Sequence, residues 1–314
     1  MTEERELEFF ETLRLTAEQL SDLESLGSES LAESWQLALA LVEDFDPVPW
    51  FVRRLTKIAL RSSDGGEASE GNKRLNEGAI IGLHKVLFLA VADPIVGAGC
   101  PVNSIKEAIP LIKSDVFAAV VVVHAVSRKI LARNFDRVWM PILDQALVRA
   151  QIGFYVGLNT NDFGAGRGML AGFAGWIGIC ILMCRGTKAQ AGKTLELLMR
   201  GSNIDEVSME VYACNPLHIG AFLLSLVGCG TNASRGFIVA SSRKKNIVEF
   251  ENREQNIWFL TLSAVEAIRG GEFDSLAPEQ WELLGLGKRS KQLEIEQLAH
   301  IMRRRGHRWQ WMLR

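Results

Sequence analysis

Hydrophobic and polar positions repeat with a helical period along most of the chain. Between residues 3 and 44, apolar side chains three or four apart form stripes such as Leu7, Phe10 and Leu13. The stretch 116–126, VFAAVVVVHAV, is rich in β-branched residues and would suit a strand or a buried helix. Because no other segment of similar strength could pair with it, and a lone strand is not stable, we predict a helix and an all-α fold.

The stretch 168–184, GMLAGFAGWIGICILMC, contains 17 uncharged residues between two arginines. A membrane span needs about 20 predominantly apolar residues, so we interpret the stretch as a buried core helix. The alternative is a membrane-associated segment. Four glycines three or four positions apart leave one face without bulk, which predicts close approach of a neighbouring helix. They are Gly168, Gly172, Gly175 and Gly178. Asn161 or Asp162 is expected to cap this helix.

The composition, 314 residues with 48% hydrophobic content, is sufficient for one large or two ordinary domains. Asp46-Pro47 is expected to end a helix, and the polar stretch 62–72 is expected to be an exposed loop. We therefore predict an acidic helical appendage over 1–44, a main domain over 45–290 and a C-terminal helix with a basic tail over 291–314.

Charge is distributed unevenly although the net charge is only −2. Residues 1–46 have a balance of −11, whereas the chain ends in RRRGHRWQWMLR. Interleaved arginine and tryptophan could bind nucleic acid or a membrane surface. Since no nucleic-acid motif accompanies the tail, we favour a solvated helix end that pairs with the acidic segment of the same or another chain, which would permit a homo-oligomer.

The cysteines are odd in number, five, and lie mostly in apolar runs. No signal peptide is recognised, so we expect a reducing cytoplasm. Cys180 and Cys184 share a helix face, but a metal site there would need two further ligands, and no nearby His or Cys supplies them. We expect buried free thiols and no cofactor.

A series of motifs follows in order between residues 45 and 290. They are FDPVPWFVRRL (45–55), NSIKEAIPLI (103–112), NFDRVWMPILDQAL (134–147), MLAGFAGWIGICIL (169–182), YACNPLHIGAFLLSLVGC (212–229) and WELLGL (281–286). In this order they resemble the HDOD family, the degenerate relatives of HD-domain metal-dependent phosphohydrolases in bacterial signal transduction. The resemblance implies a multi-helix HD-like bundle that acts as a non-enzymatic regulatory module and binds a partner protein or a small signalling ligand.

The chain departs from the HD pattern at the metal-ligand positions that the resemblance identifies. An HD-type hydrolase needs imidazole and carboxylate ligands around a metal ion. Here the first histidine position is proline, the His-Asp pair is glycine and tryptophan, the next histidine is proline, and the last two fall near serines. These residues are Pro141, Gly175, Trp176, Pro216, Ser241 and Ser242.

The candidate residues of this degenerate cleft have no metal-binding pattern, so we expect no catalytic or metal site. Trp176 is expected to fill the cleft, although its ring could bind a flat ligand. His218 is expected to be structural, and Arg167, by default a solvated side chain, could contact an anion at a helix N-terminus. The alternative is a divergent nucleotide phosphohydrolase with a metal site rebuilt from Asp136, Asp144 and His218.

Overall fold

The computed structural model describes residues 29–61, 83–133, 136–241 and 252–313. Within these residues the regular secondary structure is helical and includes no strand, which confirms the predicted all-α fold. The α-helices are α1 (Glu29–Phe45), α2 (Trp50–Arg61), α3 (His84–Ala92), α4 (Ile105–Ala108), α5 (Ser114–Leu131), α6 (Met140–Asn159), α7 (Ala165–Arg185), α8 (Lys188–Met199), α9 (Ile204–Tyr212), α10 (Pro216–Leu226), α11 (Thr231–Ser241), α12 (Arg253–Gly270), α13 (Pro278–Leu283) and α14 (Arg289–Arg305).

Helix α7 is the centre of the molecule. It packs against α5, α6, α10 and α12, and almost all of its residues are buried. It is long and apolar enough to cross a membrane, but 94% of its most apolar window lies inside the protein. This burial agrees with the interpretation of 168–184 as a core helix. The β-branched stretch 116–126 lies in α5 and is also helical and largely buried, as predicted.

The glycines of α7 permit the close packing that the sequence predicts. A Cβ atom added to Gly168 would lie 2.1 Å from the carbonyl oxygen of Gly153, and one added to Gly172 would lie 2.1 Å from that of Arg149, both on α6. Gly178 instead faces the carbonyl oxygen of Pro216 on α10. Glycine therefore allows two different helices, not a single neighbour, to approach the α7 backbone.

The N-terminus of α7 is hydrogen-bonded by a side chain of α5, which lies far from it in sequence. Its N-cap, Gly164, has φ +94° and provides no side-chain cap. The Asp115 carboxylate, on α5, accepts a hydrogen bond of 2.9 Å from the backbone N–H of Gly166. The expected cap from Asn161 or Asp162 is therefore wrong, because the carboxylate that reaches this helix end comes from α5 and not from the preceding loop.

The described part of the N-terminal segment packs into the main core. Trp35 and Phe45 of α1 are fully buried there, and α1 lies against α10. The helix ends before Asp46, which has φ +44°, as the Asp46-Pro47 pair predicted. Residues 29–44 thus share the main core, while residues 1–28 and the predicted loop at 62–72 lie outside the described residues.

The segment after α14 packs onto the core, which the expected solvated end did not include, whereas Arg304 and Arg305 at the end of the helix are exposed as expected. After α14, Trp309 and Met312 are fully buried. The backbone N–H of Arg308 donates to Gln151 Oε1 at 3.1 Å, and His124 Nδ1 donates to the carbonyl oxygen of Met312 at 2.8 Å. The tail packs because its large apolar side chains, interleaved with arginines, fit against α5 and α6.

Candidate functional site

The residues predicted to line a degenerate cleft lie on α7 and on three other helices. Pro141 is exposed at the start of α6, and Gly175 and Trp176 lie in the middle of α7. Three further residues, Pro216, His218 and Ser241, are buried on α10 and α11. Ser242 lies outside the described residues. The structure divides these positions into a group around Trp176 and a group around His218.

The position that the resemblance assigns to the histidine of the His-Asp pair, Gly175, is closed by a neighbouring side chain. A Cβ atom added to Gly175 would lie 2.4 Å from Leu262 Cδ1, on α12. Such a distance is far below ordinary carbon contact, so an imidazole ring at residue 175 would require Leu262 to move. The apolar side chain therefore occupies space that a metal ligand would need.

Trp176 is fixed at its edge and covered on one face. Its indole N–H donates to the carbonyl oxygen of Ile142 at 2.9 Å. The guanidinium carbon of Arg149 lies 3.6 Å from the centre of the ring, which is the geometry of a cation–π contact. The ring is only partly buried. The predicted ring surface for a flat ligand is thus covered on this face by a side chain of α6.

Arg149 forms a paired contact with a carboxylate of α12. Its Nε and Nη2 donate to Glu266 Oε1 and Oε2 at 2.5 and 2.8 Å. Its Nη1 donates to Gln145 Oε1 at 3.2 Å, and the same oxygen accepts from Arg269 Nε at 2.7 Å. Two arginines, a glutamate and a glutamine therefore form one network over Trp176. We call these four side chains the Arg149 network.

The pattern of the sequence did not predict the Arg149 network. A signal was present, because Arg149 is the one charged residue in the run ALVRAQIGF, which is apolar apart from Arg149 and Gln151 and belongs to a helix that packs in the core. A buried arginine needs a partner. Its partner, however, is 117 positions away along the chain, and helical periodicity contains no information about that pairing.

His218 is held between two serines in the core. Asn215 N–H donates to Ser34 Oγ at 2.7 Å, so the Ser34 hydroxyl can donate to His218 Nδ1 at 3.0 Å. The Ser241 hydroxyl donates to the carbonyl oxygen of Ile238 at 2.7 Å and accepts from His218 Nε2 at 3.0 Å. Both ring nitrogens are thereby used by the neutral imidazole.

Burial controls the protonation of this histidine. His218 is fully buried, and this burial lowers the pKa of its ring to about 3. Trp35 lies against the imidazole in an edge contact, with ring centres 5.3 Å apart. The group is therefore a neutral hydrogen-bonded link between α1, α10 and α11, a structural arrangement in which neither nitrogen points to solvent.

The residues at the positions that the resemblance assigns to the HD metal ligands do not fit a metal ion. Glycine, proline and tryptophan supply no donor of the kind that divalent metals bind, and the imidazole of His218 is already paired through both nitrogens. Among the described residues, no three side chains of His, Cys, Asp or Glu are grouped closely enough to hold a metal ion. Burial also raises the pKa of the Cys184 thiol to about 12, which disfavours the thiolate that binds metals.

The alternative set of metal ligands is not brought together. The side chain of Asp136 accepts from Val138 N–H at 3.3 Å in an exposed turn before α6. Asp144 Oδ1 lies 3.2 Å from His307 Nε2. His218 is held by its serines, so Asp136, Asp144 and His218 have separate surroundings.

Arg167 lies at the start of α7, but it is not a solvated side chain. Only 8% of the residue is exposed, because the N-terminal turn of α7 is enclosed by neighbouring helices. It lies near Cys229. Burial raises the pKa of the Cys229 thiol to about 12, and the positive charge of Arg167 opposes part of this rise. The default expectation of a solvated arginine is therefore wrong, and anion contact at Arg167 stays a prediction.

Comparison with known proteins supports the fold and no finer assignment. The sequence matches no known protein family and no curated protein. The structure is similar to the 1.62 Å crystal structure of a presumed phosphohydrolase from Shewanella amazonensis SB2B, with a TM-score of 0.50 and 14% identity. The similarity covers 83% of this chain and 94% of that chain. The chain therefore shares an all-α fold with that structure.

Proposed function

We propose that the chain is a non-enzymatic regulatory module of the HDOD type, which binds a partner protein or a small ligand in bacterial signal transduction. The similar crystal structure supports an HD-like fold. The main support is the surroundings of the residues that the resemblance places at the metal-ligand positions. One is closed by Leu262, one is a tryptophan held to the backbone of α6, and His218 is hydrogen-bonded within the core.

A helical domain that has lost its ligands can still bind and transmit a signal. Its surface groups remain available, and any ligand that binds only one conformation shifts the population toward that conformation. In this chain the α7 core has many backbone contacts through glycine, so a change at one neighbouring helix would be passed to the others as a rigid displacement. We expect the module to lie in the cytoplasm and to need no cofactor.

The first test measures metal content and hydrolysis together. Protein purified without chelator is analysed for Mn, Fe, Zn and Mg, and is then assayed with nucleotides and a chromogenic phosphate ester in the presence of each metal. The proposal predicts metal well below one equivalent and no turnover above a protein-free control. Stoichiometric metal with turnover would refute it.

A divergent phosphohydrolase is the second candidate function. The similarity to a presumed phosphohydrolase supports it, although that similarity extends to the fold only. A hydrolase of this fold would have to use ligands other than Asp136, Asp144 and His218 as a set, because these do not form a metal-binding group. If turnover is found, the variant Asp144→Asn tests whether this aspartate contributes, and unchanged metal content would exclude it as a ligand.

Ligand binding is tested separately by thermal stability. A panel of nucleotides, cyclic dinucleotides and cell-extract fractions is screened for an increase in Tm, since any compound that binds the native state stabilises it by mass action. A reproducible, saturable increase supports a binding module. A sedimentation measurement at low and high salt tests the homo-oligomer, because contacts between acidic and basic segments weaken as salt screens charge.

A further inference from the structure

The Arg149 network has the chemistry of an anion site that is occupied by a side chain of the protein itself. We propose that Arg149 and Arg269 form a binding site for a phosphate-bearing small ligand, and that Glu266 occupies this site in the ligand-free protein. The inference deepens the proposed function, on which it rests, because it assigns a ligand class to the Arg149 network beside Trp176.

The guanidinium of Arg149 is fixed before any ligand arrives. Trp176 covers its face at 3.6 Å, and Gln145 accepts from Nη1, so the Nε–Nη2 edge is the edge directed at Glu266. This edge presents two parallel N–H donors, and a guanidinium fork binds carboxylate and phosphate oxygens with the same geometry. A phosphate could therefore replace the Glu266 carboxylate without a rearrangement of Arg149.

The occupant is much more accessible than the arginine that it contacts. The Arg149 side chain is 6% exposed, whereas that of Glu266 is 46% exposed. Glu266 can therefore rotate into water at small cost and be hydrated there. A guanidinium left without an anion at this position would lose its charge partner in a buried setting, which is costly. The site thus favours an exchange of anions over an empty state.

The second arginine determines which anion fits best. Arg269 lies one turn after Glu266 on α12, and its Nε shares Gln145 Oε1 with Arg149. Arg269 thereby adds a second positive charge near Arg149, on the Gln145 side of the guanidinium. A phosphate group carries a charge of about −1.5 to −2 near pH 7 and matches this charge better than a single carboxylate does. A phosphorylated small ligand is therefore preferred over an acidic side chain.

The experiment titrates pyrophosphate into the full-length protein and measures heat of binding and Tm. The buffer contains a chelator, so a phosphate bound through contaminating metal cannot contribute, and the ionic strength is held constant. The variants are Glu266→Gln, which removes the internal competitor, and Arg149→Lys and Arg269→Gln, which remove the fork or the second charge. Glu196→Gln is the matched control, since it releases Arg200 from an exposed pair on α8.

We expect Glu266→Gln to bind pyrophosphate at least about fivefold more tightly than the unmodified protein, because the competent state is no longer blocked. Arg269→Gln is expected to weaken binding about tenfold, and Arg149→Lys to abolish it. Arg269 is only partly buried, so its variant remains informative if Arg149→Lys fails to fold. Glu196→Gln should change nothing.

Three results would overturn the inference. They are no binding by either the unmodified protein or Glu266→Gln, equal strengthening by Glu196→Gln, or unchanged binding by Arg269→Gln. The proposed function fails by a different result, namely metal-dependent turnover, so the two failures are distinguishable. Metal-free protein that binds no pyrophosphate and hydrolyses nothing would refute this inference and leave the regulatory proposal standing.

Discussion

Substitution of Gly168 by alanine tests whether the α6–α7 contact determines the stability of the fold. An added Cβ would lie 2.1 Å from the carbonyl oxygen of Gly153 and 2.7 Å from the Cα of Gly157. Both are backbone atoms, which cannot rotate away. The carbonyl oxygen would be about 1.3 Å short of the 3.4 Å at which ordinary contact begins, so the two helices must separate locally.

The magnitude follows from two opposed effects. Overpacking of a well-filled core costs about 1–3 kcal/mol, and the upper end applies here because separated helices also lose dispersion contacts along their length. Alanine recovers about 1 kcal/mol through its higher helix propensity. We therefore expect Gly168→Ala to lower the free energy of unfolding by about 2 kcal/mol.

The assay is urea denaturation followed by circular dichroism, with Gly192→Ala as the matched control. Gly192 lies on the exposed face of α8, where an added Cβ meets nothing within 4 Å. The same substitution should there raise the free energy of unfolding by about 1 kcal/mol. A Gly168→Ala variant that is as stable as the unmodified protein, or more stable, would show that backbone contact does not limit the approach of the two helices.

Three further predictions concern the buried polar and aromatic groups. Ser34→Ala should cost about 1–3 kcal/mol in urea denaturation, because Asn215 N–H and His218 lose their partner; an unchanged value would contradict the hydrogen-bond assignment. The pKa of His218 is lowered to about 3 in the folded state, so the unfolded state binds an extra proton below about pH 6.5. The contribution of His218 to the free energy of unfolding should therefore be complete above that pH and should fall by about 1 kcal/mol per pH unit toward pH 3. The variant His218→Gln should remove this dependence on pH. Trp309→Ala should cost about 3–5 kcal/mol, whereas Trp50→Ala, at a site 41% exposed, should cost much less; equal values would mean that the tail does not pack as described.

The sequence contained enough information for the helices but not for their partners. Periodicity and the absence of a pairing strand predicted the all-α fold, and the apolar stretch 168–184 predicted the central helix. These features depend on neighbours three or four positions apart. Asp115, by contrast, caps a helix 51 positions later, and Arg149 finds Glu266 from 117 positions away. Such contacts are determined by how the helices pack.

The tail shows why composition alone misled. Its arginines suggested a solvated end, but a mixture of charged and large apolar residues also suits a segment that lies along a core and directs its apolar side chains inward. Trp309 and Met312 point inward, while Arg308 is exposed. Net charge describes the outer face of such a segment and contains no information about the inner one.

Trp176 lies where the resemblance places a metal-binding aspartate, and it also leaves the Nε–Nη2 edge of Arg149 directed at Glu266. A carboxylate at this position would lie against the Arg149 guanidinium and compete with Glu266 for its N–H groups. The indole instead covers the planar face of the guanidinium and accepts no hydrogen bond from it, so the fork edge remains directed at Glu266. Trp176→Asp should therefore abolish pyrophosphate binding by supplying a second internal anion, whereas Trp176→Phe, which retains an aromatic face but loses the bond to Ile142, should weaken it only in part.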